Sequence, residues 1–475
     1  MWDPAGLAPD HYRIVVRTFL TDGSHYDEIV YFLVDFSRHA AWADIANAYF
    51  PSHFLLRDMD GDGDAEIIRP GFTEVKVQNH DGTSALGWPQ TIDDIASGIA
   101  VGDISGDGHP DVVTMNRQGT LYAWHGDGTL VAGFPFLLLE MGDLLAEGRI
   151  ALGDMNRDGR NDIVVVEGVS GDLRVVDGTG LVLDGWTRSF GAPVTLPSIG
   201  DLDADGQNEI VLLAYAETRK VYVVGPHGVR PGWPKSFSAA PSNAALGDLD
   251  RDGDLEIVLG DGNGFVHALH HNGMAVRGWP RFTQALHVNS PVLGDVDGDG
   301  RLEVFASTRT LNGQTSDEEG IPPGPKEVRM FAWRSDGTPL PGWPVLYDKE
   351  LVNGGLGFGV PILADVDGDG RVDVVSGNDG VGIDDASFGL VAYRIDGSKV
   401  TGFPKPTDSP DLIETFSPAV ADVDGDGLFE LAFITNRQFR IWDLPGRSSG
   451  PAPWPMAQQN TRLTGVAPKA RRTTR

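Results

Sequence analysis

A nine-residue pattern occurs eight times in this chain of 475 residues: Asp, any residue, Asp/Asn/Ser, any residue, Asp, Gly, two variable residues, Asp/Glu. The copies begin at Asp58, Asp103, Asp154, Asp201, Asp248, Asp295, Asp365 and Asp422, at a period near 47 residues with longer intervals after the sixth and seventh. Repetition at such a period means that one small unit has been copied, and that each copy buries its faces only by stacking on its neighbours.

The fifth unit shows the layout. Ala244-Ala245-Leu246-Gly247 leads into the acidic loop, Ile257-Val258-Leu259-Gly260 leaves it, Phe265 to His270 alternates, and Asn272-Gly273 and Gly278-Trp279-Pro280 follow. Four short apolar runs separated by Gly, Asp and Pro read as four strands joined by tight turns. The aromatic mark recurs in all units, as Trp88, Phe134, Trp186, Trp233, Trp279, Trp343, Phe403 and Trp454. A row of aromatics could stack on sugars, but one at the same place in every unit is expected to pack between neighbours. Units of this size and strand number predict an all-β, eight-bladed β-propeller of four-stranded blades over residues 51–465, with each acidic loop between the first and second strands. The stretch from Trp454 to Gly465 is expected to supply the closing strand against blade one, and residues 466–475 to form a basic tail. Residues 1–50 lie outside the repeat; Tyr12–Thr18 and Ile29–Asp35 read as a hairpin turning at Asp22-Gly23, marginal on its own. The pair resembles the closing strands of an immunoglobulin-like domain of the kind found beside propellers in secreted bacterial proteins, which would place further domains upstream.

Within each loop, side chains at positions 1, 3, 5 and 9 and the carbonyl at position 7 can converge on one hard cation, and Gly at position 6 permits the sharp turn. The first loop offers Asp58, Asp60, Asp62, Asp64 and Glu66, and the second Asp103, Ser105, Asp107, His109 and Asp111. The third has Asp154, Asn156, Asp158, Arg160 and Asp162; the fourth has Asp201, Asp203, Asp205, Gln207 and Glu209. In the fifth and sixth they are Asp248, Asp250, Asp252, Asp254 and Glu256, then Asp295, Asp297, Asp299, Arg301 and Glu303. Asp365, Asp367, Asp369, Arg371 and Asp373 form the seventh set; Asp422, Asp424, Asp426, Leu428 and Glu430 form the eighth. Oxygen-only donors with flexible carboxylates favour Ca²⁺ over zinc or copper, and Mg²⁺ keeps more water. Up to eight Ca²⁺ ions are expected. Eight solvated acidic turns without metal are the alternative, opposed by the mutual repulsion of the carboxylates. Helix-flanked calcium loops also begin in this way, but here the flanks are strand-like. Position 12, a Glu in those loops, is Arg69, Thr114, Val165, Leu212, Leu259, Ala306, Ser376 and Phe433.

The 68 acidic and 37 basic side chains leave a formal charge of −31. Eight divalent cations would reduce it to −15, so much of the acidity reads as local metal chemistry. Such a charge disfavours nucleic acid and anionic membranes as partners. The absence of cysteine excludes disulfides, thiolate metal sites and cysteine nucleophiles. No apolar run is long enough to span a bilayer as a helix, and the N-terminus lacks a signal-peptide pattern. No His-Glu-x-x-His or phosphate-binding loop occurs; Gly260-Asp261-Gly262-Asn263-Gly264 reads as a strand-to-strand turn. His267 and His270 should point to opposite faces of their strand and so cannot share one ion. Extra length in units six and seven falls in Arg309 to Lys326 and Asn378 to Phe388, loops expected on the face opposite the acidic loops, where binding commonly resides.

Leu293-Gly294-Asp295-Val296-Asp297-Gly298-Asp299-Gly300 and Ala421-Asp422-Val423-Asp424-Gly425-Asp426-Gly427 resemble the repeats of FG-GAP (VCBS-type) proteins, among them the propeller heads of integrin α-subunits. The resemblance covers residues 52–465 and implies calcium between the first two strands of each blade. Integrin heads have seven blades with only some metal-bound, and eight loaded repeats look more like bacterial extracellular versions. The expectation is a non-enzymatic, calcium-stabilised, monomeric module, extracellular or at the cell surface, that binds a protein or glycan or accompanies a secreted enzyme. Against it stands a polysaccharide lyase of the eight-bladed calcium-propeller type, which needs a basic or metal-assisted group in an open cleft. A purely structural role is a third reading.

Overall fold

The computed structural model describes residues 10–19, 25–34, 54–139, 148–214, 219–285, 287–309, 329–346, 359–378, 389–406, 417–434, 439–456, 459–460 and 463–468. Every regular element in them is a β-strand. Asp10–Phe19 pairs antiparallel with His25–Val34. The repeat forms eight antiparallel sheets, each in sequence order. In blade five the strands are Ala245–Gly247, Glu256–Gly260, Phe265–Leu269 and Arg281–Phe282, with Ala245 opposite Val258, Leu259 opposite His267 and Val266 opposite Arg281. Seven blades contain this four-stranded pattern, with a fifth short strand added in blades four and six. Among the described residues the eighth has three strands, Ala419–Ala421, Leu428–Ile434 and Phe439–Arg447.

The first strands of blades one to seven touch in succession, and Leu55–Arg57 of blade one touches Ala419–Ala421 of blade eight, so these strands ring the axis. Glycine is required where they crowd. A Cβ on Gly247 would lie 2.7 Å from Leu302 and 2.8 Å from Leu293, and one on Gly294 would lie 2.8 Å from Leu363. Second strands such as Glu256–Gly260 are buried along their whole length, which is why Ile257-Val258-Leu259 is a continuous apolar run rather than an alternating one.

The Gly-Trp-Pro mark joins blades one, four, five and six to the blade that follows, as expected from its recurrence. The indole Nε1 of Trp88 donates to Gly126 O at 2.8 Å, Trp233 to His271 O at 2.7 Å, Trp279 to Ser335 O at 2.9 Å and Trp343 to Ile395 O at 2.7 Å. In each case the acceptor belongs to the following blade. Edge-on ring contacts between Trp88 and Trp124 and between Trp279 and Trp333 add to the seam, the geometry that the aromatic quadrupole favours. The preceding glycine has positive φ, 96° at Gly278, and a Cβ there would sit 2.0 Å from Asp336 O of the next blade. Only glycine allows that approach.

The stretch beginning near Trp454 departs from expectation. Pro451 O accepts from Asp365 N at 2.9 Å, Leu363 and Trp454 exchange backbone bonds at 2.8 and 3.3 Å, and Pro455 O accepts from Val420 N at 3.0 Å. Farther along, Thr464 O accepts from Ile199 N at 2.9 Å, while Leu246 N donates to Gly465 O and Leu246 O accepts from Ala467 N, both at 2.7 Å. The partners are first strands of blades seven, eight, four and five. Residues 451–456 and 463–467 therefore belong to a strap across the middle of the ring, two residues past the boundary drawn at Gly465, instead of a closing strand against blade one. The physical reason is that inner strands expose unpaired backbone groups toward the axis, and the strap pairs some of them while burying Trp454, Met456 and Leu463. Blades one and eight meet through Ala65 N donating to Asp422 O at 2.9 Å and through Phe54 edge-on to Phe439 at 5.0 Å.

Trp454→Ala should cost about 3–5 kcal/mol of stability, read as a fall in the urea midpoint. Deleting residues 450–475 should lower that midpoint at least as far; an unchanged midpoint would show that the strap contributes nothing to closure.

Candidate metal centres

Each acidic loop is built by its own carboxylates. At position 1 of the first, second, third, sixth and seventh loops, one oxygen accepts the amide of position 4, as in Gly61 N to Asp58 Oδ1 at 2.7 Å and Gly298 N to Asp295 Oδ1 at 2.8 Å. Its other oxygen accepts the amide of the position-6 glycine, at 3.0 Å in Gly300 N to Asp295 Oδ2. Position 5 accepts the amide of position 7, as in Arg301 N to Asp299 Oδ1 at 2.7 Å and Leu428 N to Asp426 Oδ1 at 2.7 Å. These bonds draw the loop into a coil of carboxylates.

Position 9 is the anchor. In all eight loops one of its oxygens accepts the amide of position 2: Met59 to Glu66, Ile104 to Asp111, Met155 to Asp162, Leu202 to Glu209, Leu249 to Glu256, Val296 to Glu303, Val366 to Asp373 and Val423 to Glu430, at 2.5–3.1 Å. All eight residues are buried. Burial pushes the Glu303 and Glu430 carboxyls up to about 8, and the neighbouring acids of the same loop add like charge. Glu66, Asp162, Glu209, Glu256 and Asp373 rise to about 7 for the same leading reason, and burial also raises Asp111.

The loops bring the expected carboxylates together. Ligand atoms of Asp58, Asp60 and Asp62, of Asp62, Asp64 and Glu66, of Asp201, Asp203 and Glu209, and of Asp248, Asp250 and Asp252 lie within 4.8 Å of one another in each group. In the fourth loop, Asp201 Oδ1, Asp203 Oδ1 and Glu209 Oε1 are buried without a hydrogen-bond donor. Buried acceptors left without donors are costly, and a cation held between them would supply what they lack. All-oxygen donors of this kind fit Ca²⁺.

The Asp64 side chain at position 7 joins Asp62 and Glu66, while the position-7 side chains of other loops serve other ends. Gln207 Nε2 donates to Met155 O of the preceding blade at 2.8 Å, Asp254 pairs with His271 at 2.8 Å, and Arg160 lies against Gly106 of the second loop. The sequence reading missed a group of basic side chains at these loops. His125 Nδ1 lies 2.8 Å from Asp111 Oδ1 and His270 Nδ1 lies 3.0 Å from Glu256 Oε1. Both histidines follow position 9 by 14 residues, a shared offset that was available as a signal. His267 instead pairs with Asp261 at 2.9 Å, so it and His270 serve different acids, as their strand positions required. Asp261 also accepts the amides of Asn263 and Phe265 at 2.9 Å, confirming the turn at Gly260 to Gly264. The insertions placed at Arg309 to Lys326 and Asn378 to Phe388 fall almost wholly outside the described residues.

With divalent ions chelated, the raised position-9 carboxyls make stability pH-dependent. The contribution of Glu303 is fully present below its unfolded value of 4.5 and is lost as pH rises through about 8. Glu303→Gln should therefore flatten this loss and gain on the order of 2 kcal/mol at pH 8, measured by chemical denaturation in chelator at pH 5 and pH 8.

Three stretches, residues 103–165, 248–306 and 365–433, match the FG-GAP-like repeat family. No curated protein matches the chain. The crystal structure of the Vibrio cholerae biofilm matrix protein Bap1 is similar at 12% identity and a TM-score of 0.53, covering 90% of this chain and 95% of that one. The crystal structure of Saccharomyces cerevisiae Sqt1 is similar at 8% identity and a TM-score of 0.55, covering 85% of this chain and all of that one. At such identities these likenesses speak for the fold. With those three stretches matched and eight blades around one axis, this chain is an eight-bladed β-propeller that carries FG-GAP-like repeats.

Proposed function

We propose that this protein is a calcium-stabilised extracellular binding module, without catalytic activity of its own, whose partner is a protein or glycan. The observation that carries the reading is the eightfold buried carboxylate at position 9, one oxygen tied to the backbone and set among three further oxygen donors. A buried acid among like charges is destabilising unless a cation offsets it. Calcium at millimolar extracellular levels matches the affinity range of such modules. Bound calcium would supply charge compensation and fix the loop, and with it the seam to the next blade. The biofilm matrix setting of Bap1 is in keeping with an adhesive role.

Elemental analysis of protein dialysed against calcium should find several ions per chain, and thermal denaturation should show a large fall in Tm on adding a strong chelator. Saturation at 100 times Kd stabilises by about 2.7 kcal/mol per site. Unchanged Tm and no bound metal would sink the calcium reading. Retention on immobilised polysaccharides or matrix proteins that disappears in chelator would support the binding role. An absorbance rise from unsaturated sugar during incubation with acidic polysaccharides would instead establish the lyase.

A further inference from the structure

The eight loops are not equivalent, because some of them carry a guanidinium of their own. Arg230 Nη2 bonds Asp203 Oδ2 of the fourth loop, and its Nη1 lies 3.4 Å from Glu209 Oε1. On the other side of the same loop, Arg157 Nη2 reaches from the third loop to Asp205, at 2.9 Å from Oδ1 and 3.0 Å from the carbonyl oxygen. Positions 3, 5 and 9 of the fourth loop are thus each met by an arginine. In the seventh loop Arg394 Nη2 bonds Asp367 Oδ2, again at position 3.

Two further observations show that these contacts are built. Arg394 ends the third strand of its blade, whereas the corresponding end of the third strand in blade four is Gly225. A Cβ on Gly225 would meet Arg230 Cδ at 3.3 Å, so the room left by the missing side chain is filled by an arginine from the following turn. Two different chain positions deliver a guanidinium to the same carboxylate. Arg157 in turn holds φ at 66°, the conformation that Ala204 and Arg251 share at position 4 of their loops and for which the other five loops have glycine. A non-glycine residue in that conformation is disfavoured and persists where surrounding contacts compensate it.

We propose that Arg157 and Arg230 are a built-in counter-charge for the fourth loop, and Arg394 for the seventh, so that these loops keep their shape without a divalent ion and bind one more weakly than the other four-carboxylate loops. The arginines take outer carboxylate oxygens, Asp203 Oδ2, Asp205 Oδ1 and Asp367 Oδ2, and so orient the remaining oxygens inward, the way outer partners orient metal ligands. Their positive charge opposes a second cation nearby. The affinity part of this inference rests on the calcium reading; the apo-stability part does not.

Arg230→Gln, Arg230→Lys and Arg394→Gln answer both parts. In strong chelator, Arg230→Gln and Arg394→Gln should each lower Tm, and Arg230→Lys, which keeps the charge, should retain most of the wild-type value. In a calcium titration against a chromophoric chelator, the wild type should show a class of weak sites, and each Gln variant should convert one of them to a site about tenfold tighter. Unchanged Tm of the Gln variants in chelator, or a Lys variant as unstable as the Gln variant, would overturn the counter-charge. A uniform set of sites in the wild type, or weaker calcium binding in the Gln variants, would overturn the ranking of the loops. If no calcium binds to any form, the calcium reading and the loop ranking fall together, and the Tm values in chelator still decide whether the arginines compensate the loops.

Discussion

A carboxylate buried at the same place in every blade sets the terms for the rest of this structure. Position 9 opens the second strand, the most enclosed strand of the blade, and its backbone-bonded oxygen fixes the start of the acidic loop. The same residue is thus a structural cap and a charge in a poor solvent for charge. Folding gains a defined turn from it and incurs a desolvation cost. The surrounding acids increase that cost, and positive charge, whether a metal ion or a guanidinium, relieves it. The arrangement ties the electrostatics of one face to the integrity of the ring.

Contacts between loops extend this coupling around the ring. Asn161 N and Nδ2 both donate to Asp103 O, Leu255 N donates to Leu202 O and Ala65 N donates to Asp422 O. Arg251 reaches Asp299 and Gly300 carbonyls in the next loop. The loops so linked are held partly by their neighbours, and a disturbance at one is felt at the adjoining seam. Together with the indole bonds of Trp88, Trp233, Trp279 and Trp343, these links place two layers of interblade hydrogen bonding outside the apolar core.

The fold was legible because its signals are local and repeated: Asp248 to Glu256, the strand runs on either side and Gly278-Trp279-Pro280 each specify a short-range structure, and eight copies leave few architectures. The ligand positions were legible for the same reason. The strap and the basic side chains were not. Residues 451–467 lack strand periodicity, since Pro451, Pro453 and Pro455 supply carbonyls without a regular ladder, and their partners lie in blades distant along the chain. Arg230 and Arg394 both follow position 3 of their loops by 27 residues, but the extra length before the third strand of unit seven places one at the end of that strand and the other in the turn after it, which hid the shared role. His125 and His270 share an offset that units with other residues there obscured.

The strap also fixes an order of events. Its partners, Ile199, Leu246, Leu363 and Val420, all precede it, so every blade emerges from the ribosome before the segment that spans their inner edges exists. Until then the nascent ring has an unfilled axle, with inner backbone groups open to water or to another chain. Completion of this propeller waits for a segment made after all eight blades.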